Sequence, residues 1–454
     1  MTPADEGADG LVEAERLLAL EIELIRRAPE SQIEPTLDRV RSVLDLMGNP
    51  ERAYPTIHVA GTNGKSSTAA MIDSLLTAYG LRTGRFTSPH LETLRERIRL
   101  DGELIDSGRL LAAWEDLAPL LAIVESDGGR PLTYFEVITV LAFVAFADAP
   151  VSVGVLEVGL GGTWDATNVV DAPVGVIVPI GMDHMDWLGD DIVDIADAKA
   201  GILGSQMVAV SADQEPAVAE VLADRAGDVG ATLLRAGVDF GLVDRQVAVG
   251  GQLLTIQGIG GTYADVFLPL HGEHMAQNAA TALVAVEAFL GGGAGALVGE
   301  VVEQGFAAVS VPGRLEVVRR SPTVLIDVAH NPHGAGALAA AVDEAFDFRR
   351  LVGVVGVLAD KDAEGILVAL EPLLDEIVLT QSTSPRAVDA EELGAIAAEV
   401  FGAERVQVEP VLPNALEAAV TAAESEGDLE GVGVLVTGSV TIAGESRALL
   451  RRGR

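Results

Sequence analysis

Residues 60–68 read AGTNGKSST, a glycine-rich turn running into a lysine and two serines. The common phosphate-binding loop has four residues between its glycines, G-x-x-x-x-G-K-[ST]. Here only Thr62 and Asn63 separate Gly61 from Gly64, and Val59 stands where the longer form has its first glycine. The residue types still suit a nucleotide triphosphate. Backbone N–H groups of the turn and of a helix starting at Lys65 face an anion. Lys65 reaches the terminal phosphates, and the Ser66 hydroxyl meets Mg²⁺. Lysine usage adds a second signal, because Lys65, Lys199 and Lys361 are the only lysines among 30 basic residues. Where a positive charge alone suffices this chain uses arginine, so a lysine marks a need for a compact charge or for an amine that can lose its proton. Glu157 closes the apolar strand within VSVGVLEVG, and His184 follows VIVPIGMD in the same manner. Ligands of open α/β sheets gather at such strand ends, and a carboxylate, an imidazole and hydroxyls suit Mg²⁺ or Mn²⁺ beside phosphate. The pairs His271/His274 and His330/His333 suggest zinc, but neither has further ligands nearby.

The elements that must position these groups are legible as a β-α-β alternation. Strands are expected at 56–61, 151–159, 173–180, 207–212, 323–330, 351–358, 376–380 and 433–439, most of them nearly continuous in Val and Ile, as buried parallel strands are. Helices are expected at 65–79, 276–290, 335–346 and 389–401, which gives an α/β fold. Segment 247–270 reads as antiparallel strands around a Gly-Gly turn, and 291–299 as a glycine-rich connection. After SVPGRLEVV (310–318) the alternation restarts, so we place an N-terminal domain at 1–311 and a C-terminal one at 312–454.

Composition narrows the function classes. A chain of 454 residues with 49% apolar content is long enough for two cores. Its net charge of −38 and 4% aromatic content leave little to hold nucleic acid. The acidic start lacks a secretory pattern, and the longest apolar stretch, 137–147, is too short to span a bilayer. With no cysteine there is no disulfide framework. These features lead us to expect a cytoplasmic, monomeric enzyme acting on small molecules, with no membrane or nucleic-acid partner.

Ten ordered stretches then resemble one family: AGTNGKSS, TSPHL (87–91), RERI (95–98), LTYFE (132–136), LEVGLGGTWDATN (156–168), DHMDWLG (183–189), KAGI (199–202), HMAQNA (274–279), PGRLE (312–316) and IDVAHNPHG (326–334). Together they are similar to folylpolyglutamate synthase and its bifunctional dihydrofolate synthase form, members of the Mur ligase superfamily. The resemblance implies a P-loop-containing N-terminal domain of Mur-ligase type with a parallel sheet, and a smaller Rossmann-like C-terminal domain. It implies ATP on Gly61, Thr62, Asn63, Gly64, Lys65 and Ser66, with Asn278, Arg314 and Asp327. It implies Mg²⁺ at two sites, on Ser88 and Glu157 with Ser66, and on His184. Lys199 resembles the family's carbamylated lysine, which would also be a metal ligand. Dihydropteroate or a reduced folate would meet Thr133, Tyr134, Phe135 and Glu136, then Trp164, Asp165 and Ala166, and Ile33, Glu34 and Pro35. His330 would contact L-glutamate or the γ-phosphate. One departure is Thr163, where the family usually has arginine.

The chemistry so implied is amide formation through an acyl phosphate, with Lys65, Lys199 and His330 as catalytic groups. Two anions must approach each other, and the arginines of 82–100 are the densest basic stretch available. Two other readings remain at this stage: a ligase for a peptidoglycan precursor, and a nucleotide-binding regulatory module.

Overall fold

The structure is a computed structural model that describes residues 3–28, 35–126, 130–291, 295–425 and 431–452. Its contacts divide the chain into two compact units. One comprises residues 1–242, 256–264 and 278–309, and the other 243–255, 265–277 and 310–454. Ile33 and Glu34 lie outside the described residues.

In the first unit the strands are β1 (Thr56–Ala60), β2 (Thr83–Phe86), β3 (Ile98–Leu100), β4 (Glu103–Leu104), β5 (Val153–Glu157), β6 (Val174–Ile177), β7 (Val208–Ser211) and β8 (Thr232–Arg235). They form one sheet in the order β4-β3-β2-β5-β1-β6-β7-β8. From β2 to β8 every neighbouring pair is parallel, while β3 and β4 add on as antiparallel strands. Every residue of β1, β5 and β6 is buried. That is the pattern of strands covered on both faces, and it is why they read as unbroken apolar runs. The expected strands at 56–61, 151–159, 173–180 and 207–212 are present. Strands β2, β3, β4 and β8 were not anticipated, because TGRF, IRL, EL and TLLR are too short or too polar to show a period. Helix Tyr134–Asp148 is buried on almost all sides. Its start is fixed by a capping box in which Thr133 and Glu136 satisfy each other's backbone N–H groups. It carries Phe143 and Phe146 into a core shared with Leu24, Leu44, Phe86 and Leu117.

The three strands β9 (Gly241–Ala248), β10 (Gly251–Gln257) and β11 (Thr262–Leu268) form a separate small sheet. β9 and β10 meet at Val249–Gly250, with Gly250 at a positive φ of 77° that favours glycine.

The second unit holds a six-stranded sheet of β12 (Glu316–Arg320), β13 (Thr323–Ile326), β14 (Arg350–Val355), β15 (Glu376–Gln381), β16 (Val406–Val411) and β17 (Val432–Thr437). The order is β12-β13-β17-β14-β15-β16, parallel except for the β12/β13 pair. Leu325, Val355, Ile377, Leu379 and Leu435 build its core with helix residues Leu338, Ile366, Leu367 and Leu393. The parallel α/β sheet expected after residue 318 is therefore present, with β12 and β16 added at its two edges. A direct check on the N-terminal core is Phe143→Ala. It should cost about 3–5 kcal/mol, seen as an earlier first transition in urea with the second transition unmoved; an unshifted first transition would mean that helix Tyr134–Asp148 is not central to that core.

Candidate active site

The site is built on the carboxyl ends of β1, β5 and β6. β1 runs into the 61–64 turn, and helix Lys65–Ala78 starts directly after Gly64, whose φ is 96°. Two glycines are required here by space. A Cβ on Gly61 would stand 2.3 Å from Val178 Cγ2 and 2.6 Å from its carbonyl oxygen, and one on Gly64 would stand 2.8 Å from Asn278 Nδ2. The turn is held from the β6 side. Thr62 and Asn63 donate their N–H groups to the Pro179 carbonyl at 2.9 and 3.3 Å. Thr62 Oγ1 donates to the Gly181 carbonyl at 3.0 Å and lies 3.1 Å from the Gly181 N–H. Asn278, expected near the nucleotide base, thus flanks the turn.

Three ionic side chains converge on this turn. Lys65 Nζ donates to the carbonyls of Gly61 and Thr62, both at 3.1 Å. Lys199 Nζ, on helix Ile192–Ala200, donates to the same Gly61 carbonyl at 2.9 Å. Glu157, 1% exposed at the end of β5, accepts from Ser66 Oγ at 2.8 Å and from the Ser88 N–H at 3.1 Å. Lys65, Ser66, Ser88, Glu157 and Lys199 are thus brought together around one turn. His184 sits in a left-handed conformation, its Nε2 3.9 Å from an Asp183 carboxylate oxygen. Burial of Lys199 lowers its pKa to about 7, with the Lys65 charge pushing the same way and Asp183 and Asp165 opposing. A substantial share of this amine is therefore neutral near pH 7.

The loop after Glu157 ties the lysine helix to the sheet. Asp165 accepts from the N–H groups of Gly159, Leu160 and Thr167 at 3.0, 2.9 and 2.9 Å, and from Thr167 Oγ1 at 2.5 Å. Its burial raises its pKa, with these donors opposing. Thr163 donates its N–H to the Ala198 carbonyl at 3.0 Å, and Gly201 leaves no room for a Cβ beside it. Ala166 is buried, and Trp164 is partly buried against the core under Ile195 and Leu203.

Of the residues expected to face the acid substrate, Thr133 and Glu136 form the helix cap, and Glu136 also pairs with Arg39 at 2.9 Å. Tyr134 lies under the Arg97 guanidinium at 5.0 Å, and Phe135 packs on Phe86 with ring centres 5.8 Å apart. Pro35 is exposed. A cavity of about 570 Å³ opens beside Thr133, lined by Arg26, Arg27, Arg39, Arg130 and Trp187 among others. Nothing in the sequence signals it, since its arginines come from separate segments. Within the 82–100 stretch the arginines already have roles: Arg85 pairs with Asp73 at 3.2 Å, Arg95 donates to the Ile105 carbonyl at 2.6 Å, and Arg97 donates to His90 at 2.8 Å.

In the second unit, buried Asp327 accepts from the N–H groups of Leu315 and Ala329 at 2.9 and 2.8 Å. This holds Leu315 at its positive φ of 45°. Burial raises the Asp327 pKa, with the Arg314 charge opposing. His330 Nδ1 lies 2.9 Å from the Val328 carbonyl. Among the described residues no group of three or more His, Cys, Asp or Glu is placed to hold an ion.

A glycine turn that leads from a parallel strand into a helix, with a buried carboxylate and a buried lysine beside it, suits an enzyme that handles a nucleotide's phosphates. Accordingly, the Mur ligase middle domain matches residues 59–286 and the Mur ligase glutamate ligase domain residues 313–440. A dihydrofolate synthase/folylpolyglutamate synthase of Mycobacterium tuberculosis is 49% identical, over 99% of this chain and 98% of its own length. The Escherichia coli protein of the same name is 37% identical, over 80% of this chain and 81% of its own length. Among solved structures, Mycobacterium tuberculosis folylpolyglutamate synthase complexed with ADP and AMPPCP superposes with a TM-score of 0.92, 49% identity and coverage of 97% and 99%. Escherichia coli FolC in complex with DHPP and ADP gives 0.83, at 32% identity and coverage of 96% and 98%. The chain belongs to the dihydrofolate synthase/folylpolyglutamate synthase family of Mur ligases.

Lys199 gives this site a pH signature. Its folded pKa of about 7 lies below the ordinary 10.5, so between those values the unfolded chain binds more protons and stability rises with pH. The contribution is full above pH 10.5 and is lost as pH falls through about 7. Relative to Lys199→Met, wild-type stability should therefore climb across that window in urea unfolding. A constant difference between the two proteins would show that Lys199 is not charge-suppressed.

Proposed function

We propose that the chain joins L-glutamate to dihydropteroate and to reduced folates, using ATP and releasing ADP and phosphate. The observation that carries this reading is the convergence of Lys65, Lys199 and the Ser66–Glu157–Ser88 cluster on the 61–64 turn. An oxygen of the substrate carboxylate attacks the γ-phosphorus and ADP leaves. The glutamate α-amine then attacks the acyl carbon, loses its proton, and phosphate departs. The chain's part is mainly positioning and charge compensation. Lys65, which meets carbonyl oxygens in the structure, exchanges them for phosphate oxygens. The cavity beside Thr133 offers Trp187 as an aromatic face and the Arg26 and Arg130 guanidinium groups for an acid, Arg27 and Arg39 being paired with Glu125 and Glu136, which suits a ring system bearing carboxylates.

Hard oxygen donors at Glu157 and Ser66, with Ser88 beside them, fit Mg²⁺, whose remaining ligands in such sites are phosphate and water. Bound there, Mg²⁺ supplies charge neutralisation of the phosphates; His184 is assigned to a second ion. Neutral Lys199 can capture CO₂: its nitrogen bonds to the carbon and its proton passes to solvent, leaving an anionic carbamate. We assign Asn278 to the base, Arg314 and Asp327 to the nucleotide, and His330 to glutamate or the γ-phosphate. The ligase acts on small molecules, and no helix of the described residues is long and apolar enough to cross a membrane.

The test is ADP release with each acid in turn. Release should require both a pteroate-type acid and glutamate, and mass spectrometry should show products heavier by one glutamate from dihydropteroate and from tetrahydrofolate. Full ADP release with either component omitted would rule out ligation. Lys199→Arg keeps a long basic side chain but is permanently charged and cannot form a carbamate, so turnover should fall by about a hundredfold or more, the scale of losing a general catalytic group. Near-normal turnover of that variant at saturating Mg²⁺ would remove the carbamate.

A further inference from the structure

Beneath Glu157 lies a second, fully enclosed charge pair that the reaction described above does not use. Helix Lys65–Ala78 carries Ser66 and, two turns further on, Asp73. Residues seven apart lie on one helix face. Ser66 touches Glu157, while Asp73 Oδ2 stands 3.2 Å from Arg85 Nη1. Arg85 is on β2, opposite Val155 of β5 in a parallel register. Glu157 is two residues beyond Val155, hence on the same face of the sheet. The guanidinium therefore rises from the neighbouring strand toward the face that holds the carboxylate. All three charged groups are buried, Asp73 at 2% exposure, Arg85 at 8% and Glu157 at 1%. Burial and the Arg99 charge lower the Arg85 pKa, while Asp73 and Glu157 favour its charged form; a guanidinium stays protonated regardless. Arg85 Nε and Asp73 Oδ1 have no hydrogen-bond partner among the described residues. The pair is thus not closed on itself, and its fields extend to the neighbouring carboxylate. In so enclosed a setting a unit charge is weakly screened.

We infer that Asp73 and Arg85 set how tightly the Glu157 cluster holds a divalent cation, Arg85 opposing the cation and Asp73 offsetting Arg85. The inference rests on the reading that Glu157 is a metal ligand. Asp73 stands two helical turns, about 10 Å, from Ser66, while the Arg85 and Glu157 charges act on each other, so the sign of Arg85 dominates when Asp73 is neutralised. Arg85 and Asp73 are positioning residues in this account, touching neither substrate nor nucleotide.

The test is Mn²⁺ binding to the full-length protein without nucleotide, followed by electron paramagnetic resonance of the free ion. Asp73→Asn should weaken Mn²⁺ binding and Arg85→Met should tighten it, each on the order of tenfold. Arg85→Lys should stay near wild type. The double variant Asp73→Asn/Arg85→Met, which buries no unpaired charge, should fall between the single variants. A merely structural pair would move both single variants in one direction or lower only their melting temperatures; either result overturns the proposal, as does Arg85→Lys behaving like Arg85→Met. Glu157→Gln separates the two readings. If it leaves Mn²⁺ binding unchanged, Glu157 is not the ligand and both readings fall. If it abolishes binding while the single variants show no opposite shifts, only the present inference fails.

Discussion

Two lysine side chains share one carbonyl oxygen in this structure. Lys65 and Lys199 both donate to Gly61 O, at 3.1 and 2.9 Å, in a place where water screens little. Burial disfavours protonation of Lys199, and the Lys65 charge beside it pushes the same way. The remaining features of the site follow from relieving that repulsion. An anion on the turn relieves it, as a nucleotide's phosphates would. Loss of a proton from Lys199 relieves it too, and converts the amine into a nucleophile. The backbone oxygen that gathers both lysines belongs to Gly61, which lies tight against Val178, where no side chain fits.

The fold supplies the stiffness this arrangement needs. Strands β1, β5 and β6 are buried along their whole length, and their carboxyl ends present the turn, Glu157 and the Pro179–Gly181 segment side by side. Lys199 arrives from a helix instead. It is aligned by the 159–168 loop, which Asp165 gathers through four hydrogen bonds and which Thr163 fastens to the end of that helix. Thr163 replaces the arginine expected of the family, so a long charged side chain has given way to a short one that donates to the Ala198 carbonyl.

Much of this was legible in the sequence, for reasons that differ by residue. The turn, Lys65 and Ser66 are contiguous, so their spacing alone identifies them. Lys199 stood out because the chain otherwise uses arginine, and Glu157 because it ends a strand that reads plainly as buried. The short strands β2, β3 and β4 were not legible, since runs of two to four residues of mixed polarity carry no period. Nor were the local duties of acidic residues. Glu136 serves the cap of its own helix and the Arg39 pair, and Asp327 holds a turn that contains Leu315 at positive φ. Such uses depend on which N–H groups are left over when the chain folds, and that is a tertiary fact. The same holds for the cavity beside Thr133, whose arginines are up to a hundred residues apart, and for the Asp73–Arg85 pair.

Because the chain contains only three lysines, their side-chain titrations can be resolved individually by nuclear magnetic resonance after specific labelling. In buffer free of CO₂ and nucleotide, the Lys199 signal should titrate near pH 7, and ATP should move that midpoint upward as phosphate charge replaces the Lys65 repulsion. If Lys199 instead titrates near the ordinary 10.5 and ignores ATP, the two lysines do not share a buried contact, and the account of the site built on it is wrong.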